Sequence, residues 1–137
     1  MDLAMSFNQL NWLAVIVATV VGFFVLGGLW YGPLFGKAWM NEFGFSETDL
    51  AERNMAKVFG LSFVLAFIAA FNLAMFIGVD AGLRVGVFAG FFAGFGWVAT
   101  FLGILYLFEK KSLKVFLINA GYCVLALTLM GAILGVM

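Results

Sequence analysis

The side chains that could do chemistry in this chain are few, uncharged and set inside apolar stretches. They are Asn72, Trp97, Thr100, Asn119, Tyr122 and Thr128. Amides, hydroxyls and indoles of this kind can hold a polar group or line a polar path, but they move no proton near neutral pH. Asn119 and Tyr122 are three residues apart, so a helix puts them on one face. Together with Trp30, Tyr31 and Asn72 they are the candidates for a small polar pocket. An unpaired amide is costly in hydrocarbon, so Asn72 and Asn119 are expected to find partners on neighbouring helices.

The usual acid, base and nucleophile sets are missing. The chain has no histidine, which removes the commonest general base and metal ligand. Serine occurs only at Ser6, Ser46, Ser62 and Ser112, with no imidazole to activate it. The carboxylates Glu42, Glu47, Asp49 and Glu52 cluster at a spacing that suits helix capping and solvation rather than metal binding. Cys123 stands alone, so there is no intrachain disulfide and no Cys-x-x-Cys site; it reads as a small packing residue. No phosphate-binding loop of glycines and lysine is present. No catalytic residue, metal or cofactor is expected, and the chain is expected not to be an enzyme.

The elements that must position the polar residues follow from where the charges lie. Of 137 residues, 66% are hydrophobic and 10% charged. A soluble domain carries about 25% charge. After Asp2 no charged residue occurs before Lys37, and Val58 to Val79, Val85 to Phe108 and Val115 to Met137 are also free of charge. Each run reaches about 20 residues, enough to cross a hydrocarbon core of roughly 30 Å as a helix. The fold class is therefore all-α: a single domain over residues 1–137, an integral membrane four-helix bundle with spans at about 12–31, 58–79, 83–108 and 115–136. The first run is too long for a secretory signal and lacks a positive n-region, so the first span is expected to be retained.

Trp12 at one end of span one, and Trp30 with Tyr31 at the other, fit interfacial belts. Pro33 is expected to end that helix. Phe35, Ala38, Trp39 and Phe43 then fall on one helical face, with Lys37, Asn41 and Glu42 mainly on the other. This predicts a short amphipathic helix in the membrane interface, stopped by Gly44 and anchored, like span one, by Trp12, Pro33, Phe35 and Trp39. Ser46 reads as the cap of a helix that runs on into span two, with Asp49 completing an acidic capping box. Glu47 and Glu52 favour the positive end of that helix, and Arg53 and Lys57 follow about two turns later.

Four spans put the turns after spans one and three on one side. Those turns carry Lys37, Arg53, Lys57, Lys110, Lys111 and Lys114, against Arg84 alone on the other side. The bias predicts both termini outside and the two basic turns in the cytoplasm. Net charge is zero, with 7 basic and 7 acidic residues, so nothing suggests a nucleic-acid partner.

Span three carries Gly82, Gly86, Gly90 and Gly94 at intervals of four, and span four carries Gly131 and Gly135. At about 100° per residue the glycines form one narrow face, while Phe88, Phe91, Phe92 and Phe95 project from the opposite half. In lipid, small residues let helix backbones approach closely. The ladder is either the packing seam of one bundle or the seam of a homodimer through span three.

Two segments resemble the signatures of a known family. Trp30-Tyr31-Gly32-Pro33-Leu34-Phe35-Gly36-Lys37-Ala38-Trp39 closes span one, and Ser112-Leu113-Lys114-Val115-Phe116-Leu117-Ile118-Asn119-Ala120-Gly121-Tyr122 opens span four. With Asn11-Trp12 at the start of span one and a matching length, the chain resembles the bacterial membrane-protein family catalogued as domain of unknown function 1761. The resemblance implies four transmembrane helices in a bacterial cytoplasmic membrane and supplies no catalytic residue. It draws interest to Trp30, Pro33, Trp39, Asn119 and Tyr122, which match its motifs. The expected function is that of a non-enzymatic, self-associating or accessory membrane protein. The alternative is a small dimeric channel or transporter for an ion or small solute. The lack of any mid-span carboxylate or histidine counts against proton-coupled transport.

Overall fold

A computed structural model describes residues 10–44, 54–78 and 80–137. Among them are five helices and no strand: α1 (Trp12–Leu34), α2 (Gly36–Phe43), α3 (Met55–Ile77), α4 (Gly82–Phe108) and α5 (Leu113–Val136). The four long ones are each apolar and long enough to cross a bilayer. The chain is an all-α, four-helix membrane bundle with a short amphipathic helix after the first span.

Side chains start the helices where N–H groups would otherwise lack partners. Asn11 is extended and its side-chain oxygen accepts from the Ala14 N–H at 3.1 Å. Asn54 accepts from Lys57 at 3.2 Å, and Ser112 from Val115 at 3.1 Å. Each satisfies one of the four free N–H groups of a first helical turn. Asn54 also corrects one expectation. It is extended (φ −74°, ψ 90°), so α3 begins at its own cap and is not the continuation of a helix started at Ser46. Ser46, Glu47, Asp49, Glu52 and Arg53 lie outside the described residues.

Span one differs from expectation at Pro33. The helix does not stop before the proline but carries it inside a wide last turn, Trp30–Leu34. The Phe35 N–H donates to the Trp30 carbonyl five residues back, at 2.8 Å. An α-turn would press the proline ring onto the carbonyl four residues earlier, and a π-turn gives it room. The break comes at Phe35 (φ −125°, ψ 6°), and α2 follows at once. Gly44, at φ 72°, closes α2 in the left-handed conformation that glycine adopts without strain. Along α2, Ala38, Trp39, Met40 and Phe43 are half-buried while Lys37, Asn41 and Glu42 are exposed.

Two further wide turns interrupt the spans, Val20–Val25 in α1 and Gly94–Ala99 in α4. In α4 the Thr100 hydroxyl donates to the carbonyls of Gly96 and Trp97, at 3.0 and 2.8 Å. It supplies a partner to backbone that the wide turn leaves under-bonded.

The tightest packing in the bundle joins α4 and α5. A Cβ at Gly86 would strike the backbone of Gly131, and one at Gly135 the carbonyl of Gly82. A Cβ at Gly90 would stand 2.8 Å from Thr128 Cα, and one at Gly94 2.8 Å from Val124 Cα. The glycine face of span three is thus filled by span four of the same chain. Gly82 itself faces open space and contributes its carbonyl. Phe88, Phe91, Phe92 and Phe95 are exposed on the far side, with Phe91 and Phe95 stacked at 5.7 Å. Bare backbone meets backbone on one face, and the aromatic rings are left to lipid.

The interior is made of small and medium side chains: Val15, Ala18, Ala70, Leu73, Ala74 and Met130. The buried Thr19 hydroxyl donates to its own helix, at the Val15 carbonyl. This apolar layer sits in the half of the bundle nearer Asn11 and Met137, which are joined by a 3.1 Å hydrogen bond. At the other end Ser112 donates to Glu42 at 2.8 Å, and the Lys111 ammonium lies over the Phe43 ring at 4.8 Å. The two basic turns therefore meet at one end of the bundle.

Candidate functional site

Span two meets span one mainly along Trp12–Val25. Trp12 stacks on Phe71 at 5.6 Å, and Phe24 lies 6.0 Å from Phe63. Beyond Phe24 the two spans part, and a cleft of about 780 Å³ opens between them at the basic-turn end. Phe23 and Phe24 of α1, Trp39 and Phe43 of α2, and Phe59 of α3 supply its aromatic walls. Gly27, Gly28 and Gly32 leave one wall low: a Cβ at Gly28 or Gly32 would meet nothing within 4 Å.

The floor is polar and comes from span four. The Tyr31 hydroxyl donates to the Asn119 side-chain oxygen at 2.6 Å, and the Asn119 amide donates to the Tyr106 hydroxyl at 2.9 Å. The Tyr122 hydroxyl lies 3.4 Å from the Gly22 carbonyl, inside the first wide turn of α1. Tyr31 meets the rings of Tyr122 and Trp39 edge-on, at 5.3 and 5.7 Å. All three tyrosines of the chain thus gather near one asparagine. Among the described residues, Asn119, Tyr31, Tyr122 and Ser62 are the polar side chains that line the cleft, and no charged side chain does.

Local sequence explains the arrangement. Cα–Cβ bonds tilt toward the N-terminus of their helix. In antiparallel neighbours, Tyr106 of α4 therefore leans into the bundle while Asn119 of α5 leans toward the turn, and the two meet. The wide turn at Val20–Val25 rotates the last residues of span one. Tyr31 then faces the floor while the Trp30 indole N–H donates to the Ile118 carbonyl at 2.8 Å. The Trp30 ring packs 3.1 Å from where a Cβ on Gly121 would stand.

Of the residues expected to share a polar pocket, Tyr31, Asn119 and Tyr122 come together. Trp30 stands behind them as a brace and does not line the cleft. Asn72 lies elsewhere: it is exposed on span two and donates to the Ile68 carbonyl of its own helix at 3.0 Å. The i−4 carbonyl satisfies that amide locally, so no neighbouring helix is needed. Thr128 does the same toward Val124, at 2.7 Å. Trp97 is exposed and packs edge-on against Phe76, 6.0 Å away. Glu42 is held by Ser112, and its expected cluster mates lie outside the described residues.

Sequence reasoning missed Tyr106, Ser62 and the glycine wall. Tyr106 carried a usable signal, as one of only three tyrosines in the chain. Gly28 and Gly32 stand four residues apart, the spacing of close helix packing, yet a Cβ at either would meet nothing within 4 Å.

A second, smaller cavity of about 110 Å³ lies at the opposite end, between Leu10, Asn11, Ala74, Asp80 and the last residues of α5. Among the described residues no three of His, Cys, Asp and Glu stand close enough to hold a metal ion.

A family model described as protein of unknown function (DUF1761) matches residues 13–135. No curated protein and no solved structure matches the chain.

Proposed function

The chain belongs to the DUF1761 family of proteins of unknown function, and from this member's geometry we propose a membrane protein that works by binding, as a non-enzymatic accessory component, rather than by conducting. One observation carries the reading. The cleft is blind. Its polar floor ends at Tyr122 and Gly22, and the next layer is Val15, Ala18, Ala70, Leu73, Ala74 and Met130. A Cβ on Gly22 would already touch Met130, 2.7 Å away. An ion moving past that layer would lose its hydration without finding a replacement oxygen.

The non-enzymatic part rests on what surrounds the hydroxyls. Tyr31 donates to an amide oxygen, which is no base, and no carboxylate or imidazole lines the cleft among the described residues. Reconstituted in liposomes, the protein is expected to pass protons, potassium, fluoride and chloride no faster than empty vesicles do. A leak that grows with protein density would sink the binding reading and put a channel or transporter in its place.

The proposal includes orientation and self-association. The meeting of the two basic turns at one end supports placing that end in the cytoplasm of a bacterial inner membrane, with both termini outside. In a Cys123→Ala background, a membrane-impermeant maleimide added to intact spheroplasts is expected to label Arg84→Cys and spare Lys111→Cys. The reverse pattern refutes the orientation. Since span four fills the glycine face of span three, the face that span three leaves for a second copy is Phe88, Phe91, Phe92 and Phe95.

A further inference from the structure

The cleft selects its occupant by three properties. Its size, about 780 Å³, falls within the roughly 300 to 1,000 Å³ typical of small-molecule sites. Its walls are flat rings: Phe23, Phe24, Trp39, Phe43 and Phe59. Such surfaces favour another flat ring, offset or edge-on, over a flexible chain. Among the described residues its polar atoms are all neutral, so a carboxylate or phosphate would find no counter-charge there and lose its hydration uncompensated.

The remaining hydrogen-bonding capacity narrows the choice. Asn119 spends one N–H on Tyr106 and one lone pair on Tyr31. An amide has two N–H groups, so one is left over. The Tyr122 hydroxyl holds Gly22 only at 3.4 Å, a long bond that a better acceptor would replace. The floor thus offers two donors, and what they call for is a carbonyl oxygen. The gap between spans one and two gives an apolar tail a way out toward lipid.

We propose that the cleft binds a neutral amphiphile with a flat, carbonyl-bearing ring and an apolar tail, the chemistry of a membrane quinone. The proposal deepens the reading of the cleft as a blind binding site and rests on it. The ring lies among Trp39, Phe24 and Phe59, and one carbonyl oxygen accepts from Asn119 or Tyr122.

The test is tryptophan fluorescence of the whole chain in nanodiscs, titrated with decylubiquinone. Of the four tryptophans only Trp39 lines the cleft, so quenching is expected to contain a saturable part that Trp39→Phe removes. A Leu at Gly28 starts from a Cβ that meets nothing and grows into the cleft. Gly28→Leu is therefore expected to keep the wild-type unfolding midpoint and bind at least about tenfold more weakly, equivalent to about 1.4 kcal/mol. Should that variant fold poorly, Ser62→Leu repeats the test from the opposite wall.

Quenching that is linear in quinone, and equal in wild type and Gly28→Leu, overturns the proposal. Oleate competing as well as the quinone overturns the neutral head. Equal competition by 1-oleoylglycerol overturns the flat one. Ion flux, measured separately in liposomes, reports on the blind cleft. A protein that neither conducts nor binds quinone therefore sinks this inference alone.

Discussion

Gly90→Leu is expected to unfold the protein, not to split a dimer. The added Cβ would stand 2.7 Å from the Leu127 carbonyl carbon and 2.8 Å from Thr128 Cα, and both are backbone. A flexible side chain could swing aside, but a helix backbone cannot. The two helices must separate along a seam that also holds Gly86 against Gly131 and Gly82 against Gly135. Overpacking a filled site costs about 1 to 3 kcal/mol and occasionally more. A clash with backbone belongs at the top of that range or beyond it, a large part of the roughly 5 to 15 kcal/mol that holds a domain together. SDS titration followed by circular dichroism should show the midpoint lowered or the transition lost. Gly96→Leu is the control, since a Cβ there meets nothing within 4 Å. It is expected to leave the midpoint unchanged or raise it, leucine being the better helix former by up to about 1 kcal/mol. Light scattering supplies the opposing outcome. A Gly90→Leu protein that keeps its midpoint while its mass halves would make the ladder an intermolecular seam.

The second large effect is expected at Asn119. Replacing it with leucine strands two hydroxyls at once, Tyr31 losing its acceptor and Tyr106 its donor. A buried polar group left unpaired costs about 1 to 3 kcal/mol. Interhelical bonds in membranes are weaker than that on average, nearer 0.6 kcal/mol. Two strandings in a partly buried floor put Asn119→Leu at about 2 kcal/mol, and Tyr31→Phe at about half of it. In a double-mutant cycle the pair should couple by at least about 0.5 kcal/mol, as residues in one network do. Simple additivity of the two substitutions would show that the Tyr31–Asn119 bond contributes nothing. Asn72→Leu provides the contrast. That exposed amide bonds only its own helix, so its loss should cost little or nothing.

The spans were legible because charge is intolerable at mid-bilayer, and 34 residues without it between Asp2 and Lys37 leave few alternatives. The partner of the glycine ladder was half legible. Small residues at intervals of four announce a close approach, and Gly131 with Gly135 in the adjoining span name one helix that could make it. The amphipathic α2 was readable for the same reason as the spans, from which side the charges fall on.

The site was less legible. Asn119 and Tyr122 follow from three-residue spacing, and Tyr31 is a candidate as one of the polar aromatic residues closing span one. Tyr106 depends on how two antiparallel helices lean toward each other, which no single-helix periodicity contains. The cleft depends on the wide turns at Val20–Val25 and Trp30–Leu34. Each inserts a residue relative to the α-helical count and rotates the rest of the helix by about 100°. An ideal wheel drawn over Trp12 to Tyr31 therefore misplaces its last third. Asn72 was misjudged because its own i−4 carbonyl competes for the amide as well as another helix would.

The Asn119–Tyr106 bond has a bearing on biogenesis. Both residues belong to the pair of spans joined by the short turn at Glu109 to Ser112, and that pair is the one zipped by glycine. A helical hairpin entering the bilayer as a unit would carry its asparagine already bonded once, to Tyr106. The remaining bond, from Tyr31, arrives when span one docks across it. Pairing of the last two spans and completion of the cleft are then separable: the Tyr106–Asn119 bond needs only the hairpin, and the cleft acquires its full floor when the first span closes onto it.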